Sequence, residues 1–320
     1  MQRIREILSG WLREGQADRV LGWKKGELPG MREPAFFHTE KELEELVYDR
    51  FCGPNLSKFL IAAGEKPGVT AVLVKPCDSY SLNELIRENR VRREQVRILG
   101  VPCKGNVDPR ALEGKGVLAV REEEEQLMLS TLYGEEILPL SQVLLERCRV
   151  CRGKKHAVYD ELLDPGQEEG PAGADRFAEV ARLENMTEEE RYAFWQGEFS
   201  RCIRCNACRN ACPACNCRVC VFDGPAFDSS QKANAVPFEE SMFHIVRAFH
   251  VAGRCTDCGE CSRVCPQRIP LHLLNRKLIL DANELYGDYQ AGADPDSRPP
   301  MMAFSPDDPE PDVIYGRTQP

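Results

Sequence analysis

The sequence lacks the features of several classes of protein. No stretch approaches the run of about 18 apolar residues that a membrane-spanning helix needs. The first residues contain neither an apolar core segment nor a small-residue cleavage site, so we expect no secretory signal. Neither a Gly-x-Gly-x-x-Gly run after a strand nor a P-loop is present. The five histidines show no metal-ligand spacing, and we expect a core or surface role for each: His38, His156, His244, His250 and His272.

Basic residues are not in excess either. The net charge is −9 over 320 residues, which is not the electrostatic footprint of a nucleic-acid-binding protein. Residues 281–320 hold nine acidic and two basic residues, and the last thirty residues include seven prolines. We therefore predict an acidic tail, over residues 286–320, that is extended or disordered.

Cysteine is abundant. Sixteen cysteines without an export signal predict a cytoplasmic protein that uses thiols for metal ligation and not for disulfides. The run Cys-x2-Cys-x2-Cys-x3-Cys-Pro occurs twice, and this spacing is typical of two 4Fe–4S clusters in which the fourth cysteine of each run binds the other cluster. Structural zinc is the alternative. The predicted ligand sets are Cys202, Cys205, Cys208 and Cys265 for the first cluster, and Cys255, Cys258, Cys261 and Cys212 for the second.

Four further cysteines predict a third site in the N-terminal half. Cys77 and Cys103 each follow an apolar run, and the two runs read as strands of one βαβ unit. A right-handed crossover makes such strands parallel, so both thiols should emerge at the same carboxyl edge of the sheet, where α/β proteins bind ligands. Together with Cys148 and Cys151 they could hold a third 4Fe–4S cluster, a zinc ion, or a structural or reactive set of thiols.

The remaining cysteines have no assigned role. Cys215, Cys217 and Cys220 directly follow the first motif. They are ligands of a further metal, alternates to Cys212, or small hydrophobic residues near the cluster. Cys52 stands alone, and we expect it to pack in the core.

The patterning predicts an α/β N-terminal domain with a mostly parallel sheet and a mainly α-helical dicluster ferredoxin domain. We place the α/β domain at residues 1–160, a linker at 161–185 and the dicluster domain at 186–285. Thr187 to Glu190 predicts a helix start with a capping box, and an apolar stripe predicts a packed helix between the motifs: Met242, Ile245, Val246 and Phe249. Strands are predicted at Val20–Trp23, Thr70–Val74, Val96–Val101 and Val117–Val120, and helices at Lys41–Arg50, at Ser81–Arg90 with its cap near Asp78 or Ser79, and at Leu138–Arg147.

These motifs resemble those of a known family. The Pro76-Cys77-Asp78 and Gly100-Val101-Pro102-Cys103 turns, Cys148-x2-Cys151 and the dicluster module are similar to the iron–sulfur β-subunits of deazaflavin-reducing (coenzyme F-420) hydrogenases and formate dehydrogenases. The resemblance implies an N-terminal domain with an iron–sulfur cluster and FAD. Two positions depart from the family pattern: Lys104 replaces a glutamine, and Arg152-Gly153-Lys154-Lys155 replaces an acidic stretch.

The leading functional prediction is an electron-transfer subunit of a cytoplasmic anaerobic oxidoreductase complex of the hydrogenase, formate dehydrogenase or heterodisulfide-reductase-like kind. It would have two or three 4Fe–4S clusters and no catalytic residue of its own. Its expected partners are catalytic and flavin subunits, with no nucleic acid and no membrane span. The alternative is an FAD-containing oxidoreductase that acts on a deazaflavin or nicotinamide hydride carrier. A metal-dependent sensor or scaffold is a third interpretation.

Overall fold

The computed structural model describes residues 1–151, 155–165, 175–223, 237–296 and 299–300. Most of the predicted tail and the middle of the predicted linker lie outside these ranges. The described strands are β1 (Arg19–Lys25), β2 (Arg32–Phe37), β3 (Leu46–Val47), β4 (Thr70–Val74), β5 (Val96–Gly100), β6 (Val117–Glu123), β7 (Gln126–Thr131), β8 (Gly134–Pro139) and β9 (Glu161–Leu162). The described α-helices are α1 (Gln2–Arg13), α2 (Phe59–Ala63), α3 (Pro76–Arg87), α4 (Leu140–Val143), α5 (Glu146–Arg149), α6 (Ala178–Glu184), α7 (Glu188–Ser200), α8 (Ala207–Ala211), α9 (Pro237–His250), α10 (Glu260–Arg263) and α11 (Leu271–Tyr286).

A mixed, mostly parallel sheet organises the N-terminal half. Its order is β2-β1-β4-β5-β9, with β3 also paired to β1. The β1–β4, β4–β5 and β5–β9 pairs are parallel, whereas β2 and β3 run antiparallel to β1. All five residues of β4 are buried, as expected for a parallel strand covered on both faces. The predicted βαβ unit, β4-α3-β5, is therefore confirmed.

A second, three-stranded antiparallel sheet follows, in the order β6-β7-β8. The predicted strand at Val117–Val120 is part of β6 and so belongs to this small sheet. The small sheet packs a core of its own around Leu127 and Leu129, beside the main core of β1, β4 and β5.

Three helix predictions in this half are wrong in whole or in part. Lys41–Arg50 forms only a 3-10 turn over Glu42–Glu45, followed by β3, because so short a helical pattern is marginal alone and Leu46–Val47 pairs with β1 instead. Leu138–Arg147 is divided, since Pro139 removes a backbone donor and disfavours helix at the residue before it. Leu138 and Pro139 are the last two residues of β8, and α4 and α5 follow. Helix α3 begins at Pro76 and not near Asp78, because proline is well suited to the first helical position.

Helices organise the C-terminal half, as predicted. The capping box of α7 is confirmed, with Thr187 and Glu190 exchanging hydrogen bonds with each other's backbone N–H groups. The short helices α8 and α10 contain Cys208 and Cys261. Within the described ranges no helix combines the length and the apolar character needed to cross a bilayer.

The prediction that the apolar stripe of α9 packs in the core is wrong for three of its four residues, and the fourth, Val246, is half-buried. Met242 is 44% exposed, Ile245 38% and Phe249 58%. The opposite face is turned inward, and it carries polar and charged side chains as well as apolar ones: Glu240, Phe243, His244, Arg247 and Ala248. Periodicity alone places the apolar face of a helix in the core. That rule fails for α9, because Arg247 on its other face is buried beside cysteines with which it interacts.

Candidate iron–sulfur centres

The four cysteines of the first predicted set line one cavity. Cys202, Cys205, Cys208 and Cys265 share it with apolar side chains that include Ile203, Phe243, Ile269 and Leu271. Cys202 and Cys208 are buried, whereas Cys205 is exposed. An apolar shell of this kind limits solvent access to a cluster and sets its dielectric surroundings. The residues present thus fit a 4Fe–4S group with one side near the surface.

The four cysteines of the second set lie near one another, with Cys212, Cys258 and Cys261 buried and Cys255 half-buried. Cys212 packs against Cys255, and its charge acts on Cys255, Cys258 and Cys261. The pKa of Cys261 is raised to about 11, because burial and the neighbouring Cys212 outweigh the lowering effect of Arg247. Buried thiolates this close repel one another and are costly unless paired, so the set fits a positively charged iron core that they would share.

The backbone takes the same unusual conformation in both motifs. The residues on either side of the middle cysteine have positive φ: Arg204 (53°) and Asn206 (59°) around Cys205, and Asp257 (56°) and Gly259 (65°) around Cys258. Left-handed residues next to right-handed ones turn successive N–H groups toward one point, and such a concavity binds anions. The amide of Arg204 accordingly donates to the Cys202 sulfur at 3.4 Å. These loops are shaped for a sulfur-rich, negatively charged group.

A buried guanidinium joins the two sets. Arg247, on the inward face of α9, is 3% exposed and donates from Nη2 to the Cys208 carbonyl at 3.3 Å. It interacts electrostatically with Cys208 of the first set and with Cys212 and Cys261 of the second. One cation therefore offsets negative charge on both sets.

The N-terminal domain contributes a second cation. Lys58, just before α2, donates from Nζ to three carbonyl oxygens around the end of α8, those of Arg209 (3.0 Å), Cys212 (3.0 Å) and Cys215 (2.7 Å). An ammonium group at these carbonyls fixes the loop that carries Cys212.

The third predicted set is partly assembled at the carboxyl edge of the parallel sheet. Cys77 lies in the first turn of α3, directly after β4, and Cys103 lies just after β5. Cys103 interacts electrostatically with Cys77 and with Cys148, and the Cys148 sulfur accepts the Asn106 N–H at 3.2 Å. Three of the four cysteines are thus neighbours. Cys151 is half-buried beside residues 152–154, which lie outside the described ranges, and its place in the set stays a prediction.

A buried ion pair, the Arg147–Glu260 bridge, links the third set to the second. Arg147 Nη1 lies 2.7 Å from Glu260 Oε1, and the same nitrogen donates to the Cys258 carbonyl. On its other side Arg147 interacts with Cys77 and Cys148. Burial would raise the pKa of Glu260, but Arg263 and Arg147 lower it to about 2. The bridge therefore stays charged at neutral pH. The single side chain of Arg147 interacts with both cysteine sets.

Sequence reasoning did not find these buried cations and their partners. Arg147 directly precedes Cys148 and Glu260 directly precedes Cys261, but adjacency to a cysteine is a weak signal. Lys58 and Arg247 carry no local signal, because only the fold brings them to the cysteines.

The additional cysteines differ among themselves. Cys52 is fully buried in the main core, as expected. Cys215, Cys217 and Cys220 line one surface pocket with several arginines; Cys217 is exposed, so the expectation of small buried hydrophobic residues is wrong for it. Within the described residues no three His, Cys, Asp or Glu side chains are arranged to hold a single metal ion. His244 is buried against Phe199, with ring centroids 4.6 Å apart, which confirms its core role.

Comparison with known proteins agrees with this geometry. Residues 198–269 match the family described as the 4Fe-4S dicluster domain. The chain is 24% identical to the F420-dependent formate dehydrogenase subunit beta of Methanocaldococcus jannaschii, over 89% of each chain. It is 24% identical to the F420-dependent formate dehydrogenase 1 subunit beta of Methanococcus maripaludis, over 92% of this chain and 91% of that one.

Two further similarities are partial. Lactate utilization protein B of Bacillus thuringiensis is 26% identical over 42% of this chain and 28% of its own. A chain of the F420-reducing NiFe hydrogenase complex from Methanosarcina barkeri is 15% identical, with a TM-score of 0.37 over 46% of this chain and 58% of that one. The resemblance that the motifs predict is confirmed by two matches that cover about nine-tenths of the chain: the protein is similar to the β-subunits of F420-dependent formate dehydrogenases, and its residues 198–269 match a 4Fe–4S dicluster domain.

Proposed function

We propose that the protein is the electron-transfer iron–sulfur subunit of a multi-subunit oxidoreductase of the hydrogenase or formate dehydrogenase kind. The observation that carries the proposal is the arrangement of the three cysteine sets. Arg147 lies between the third set and the second, and Arg247 lies between the second and the first. The similarity to formate dehydrogenase β-subunits supports the same function.

Iron–sulfur clusters, when bound, accept and release single electrons. The residues of this chain would hold each cluster and set its surroundings. The predicted cysteine sets supply the thiolates, the left-handed loops aim N–H groups at sulfur, and Lys58 and Arg247 offset negative charge. Because Cys205 is exposed, with Ile203 beside it 52% exposed, the first centre is where we place electron exchange with a partner subunit.

The number of clusters tests the proposal directly. Protein purified without oxygen should contain about eight irons per chain for two clusters and about twelve for three. We expect twelve, and Cys103→Ala should lower the count by about four, because the third cluster would lose a ligand. The measurement is iron per chain with spectra of the reduced protein.

Cys52→Ala is the matched control, since Cys52 is a buried thiol of the same domain that belongs to no predicted set. It should leave the iron count unchanged. An unchanged iron count in Cys103→Ala would contradict the prediction of a third cluster. A wild-type protein that binds zinc in place of iron would overturn the proposed function.

One feature favours the alternative of an FAD-containing oxidoreductase acting on a hydride carrier. A groove beside the second centre is lined by the aromatic rings of Phe36 and Phe59 and by Lys66 and Arg263, next to Ala211. Aromatic and basic side chains together suit a flat ligand with phosphates. If the protein is purified without oxygen and then denatured, released flavin would favour this function. Clusters without flavin would favour the electron-transfer subunit.

A further inference from the structure

Cys215, which the predicted ligand sets leave out, lies beside the fourth ligand of the second centre. The chain folds back after Cys212 through Pro213 and Ala214, and the N–H of Cys215 donates to the Cys212 carbonyl at 3.1 Å. The two thiol groups are neighbours, and each shifts the pKa of the other. Both residues also belong to one packed cluster with Cys255, another predicted ligand of the same centre. Two cysteines thus lie side by side at the place where the predicted ligand set uses one.

The two cysteines share the same cations. Lys58 Nζ donates to the carbonyl of Cys212 and to that of Cys215, and the guanidinium of Arg247 interacts with both sulfurs. A thiolate at either position therefore lies in nearly the same field. The other cysteines of the pocket differ, because Cys217 is exposed and Cys220 interacts with Arg209 instead.

We propose that Cys215 is a reserve ligand of the second cluster, interchangeable with Cys212. With Cys212 bound, the S–H of Cys215 donates to the Cys212 sulfur. In the exchanged state Cys215 binds through its sulfur, and the proton it gives up passes to Cys212. One iron–sulfur bond forms and one breaks, no electron moves, and the site keeps its charge. This inference rests on the proposed function, since it requires the dicluster.

Iron counting on single and double variants tests the exchange. Cys212→Ala should keep the wild-type iron content because Cys215 replaces the lost ligand, whereas Cys212→Ala with Cys215→Ala should lose about four irons per chain. Cys212→Ala with Cys217→Ala is the matched control and should keep its iron. Cys202→Ala, in a set with no fifth cysteine of its own, should lose about four irons.

The potential of the second cluster gives an independent test in a variant that keeps its predicted ligands. Cys215→Ala should retain all its iron, and the midpoint potential of the second cluster should fall, because the Cys212 sulfur loses a hydrogen-bond donor. Redox titration followed by electron paramagnetic resonance measures the shift, with Cys217→Ala unchanged.

The outcomes separate this inference from the function on which it rests. Cys212→Ala losing as much iron as the double variant, from a wild-type protein that carries both clusters, would overturn the reserve ligand alone. A double variant that keeps all its iron would do the same. Wild-type protein without iron would overturn the proposed function.

Discussion

Replacing Arg247 with glutamine should lower the midpoint potentials of both clusters in the C-terminal half. Reduction adds negative charge, and Arg247 is a buried cation that interacts with Cys208, Cys212 and Cys261. A unit charge at roughly 6 Å and an effective dielectric constant near 20 contributes about 2.8 kcal/mol. For a one-electron couple this is a shift on the order of 100 mV. A fall in the midpoint potentials of both clusters after this one substitution would show that they share the cation.

Glutamine is the sharpest replacement, because it removes the charge and keeps a donor for the Cys208 carbonyl that Arg247 contacts. Redox titration of the anaerobic protein, followed by electron paramagnetic resonance, measures both potentials. Arg182→Gln is the control, since Arg182 is an exposed arginine paired with Glu179 on α6, and its loss should leave both potentials in place. A shift confined to one cluster would contradict the placement of Arg247 between them.

Replacing Arg147 with methionine should lower the free energy of unfolding by about 3–5 kcal/mol, the usual cost of removing one partner from a buried ion pair. The side chains of Arg147 and Glu260 are 6% and 2% exposed. Methionine fills much of the volume but leaves the Glu260 carboxylate with Arg263 as its remaining ion-pair partner. It also removes the donors to the Cys258 and Gly53 carbonyls. Urea titration of the iron-loaded protein, read by circular dichroism and by cluster absorbance, measures the loss.

Arg191→Met provides the comparison, since Arg191 pairs with Glu184 at 3.7 Å on a half-exposed surface. Exposed pairs contribute about 0–1 kcal/mol, so this variant should unfold close to wild type. If the two methionine variants had equal stability, the Arg147–Glu260 bridge would contribute no more than a surface contact.

Much of the fold is encoded locally, and the sequence predicts that part. The apolar run Thr70–Val74 predicts β4 to the residue, and Thr187 with Glu190 predicts the cap of α7. The parallel β4–β5 pair then brings Cys77 and Cys103 to one edge. These features depend on propensity, turn chemistry and the handedness of crossovers, which act over a few residues or over one βαβ unit.

The rest depends on contacts between residues distant in the chain. Neither the inward face of α9 nor the short strand Leu46–Val47 follows from periodicity, because a buried arginine and a pairing with β1 decide them. The ligand pairing within the dicluster stays a prediction from spacing, and the surrounding cations Lys58, Arg147 and Arg247 could not be predicted. From sequence alone a charged residue is expected at the surface, because its burial requires a partner that only the fold brings near.

The Arg147–Glu260 bridge also bears on protein engineering. Ferredoxin-like segments are attractive parts for artificial circuits, and residues 186–285 would be the natural piece to excise. Cutting there would expose Glu260 to water, strip Lys58 from the Cys212 loop, and break the contacts of Glu88 with Asn216 and Arg254. Residues 186–285 therefore depend on contacts with the α/β domain. A design that uses them alone would have to replace those contacts.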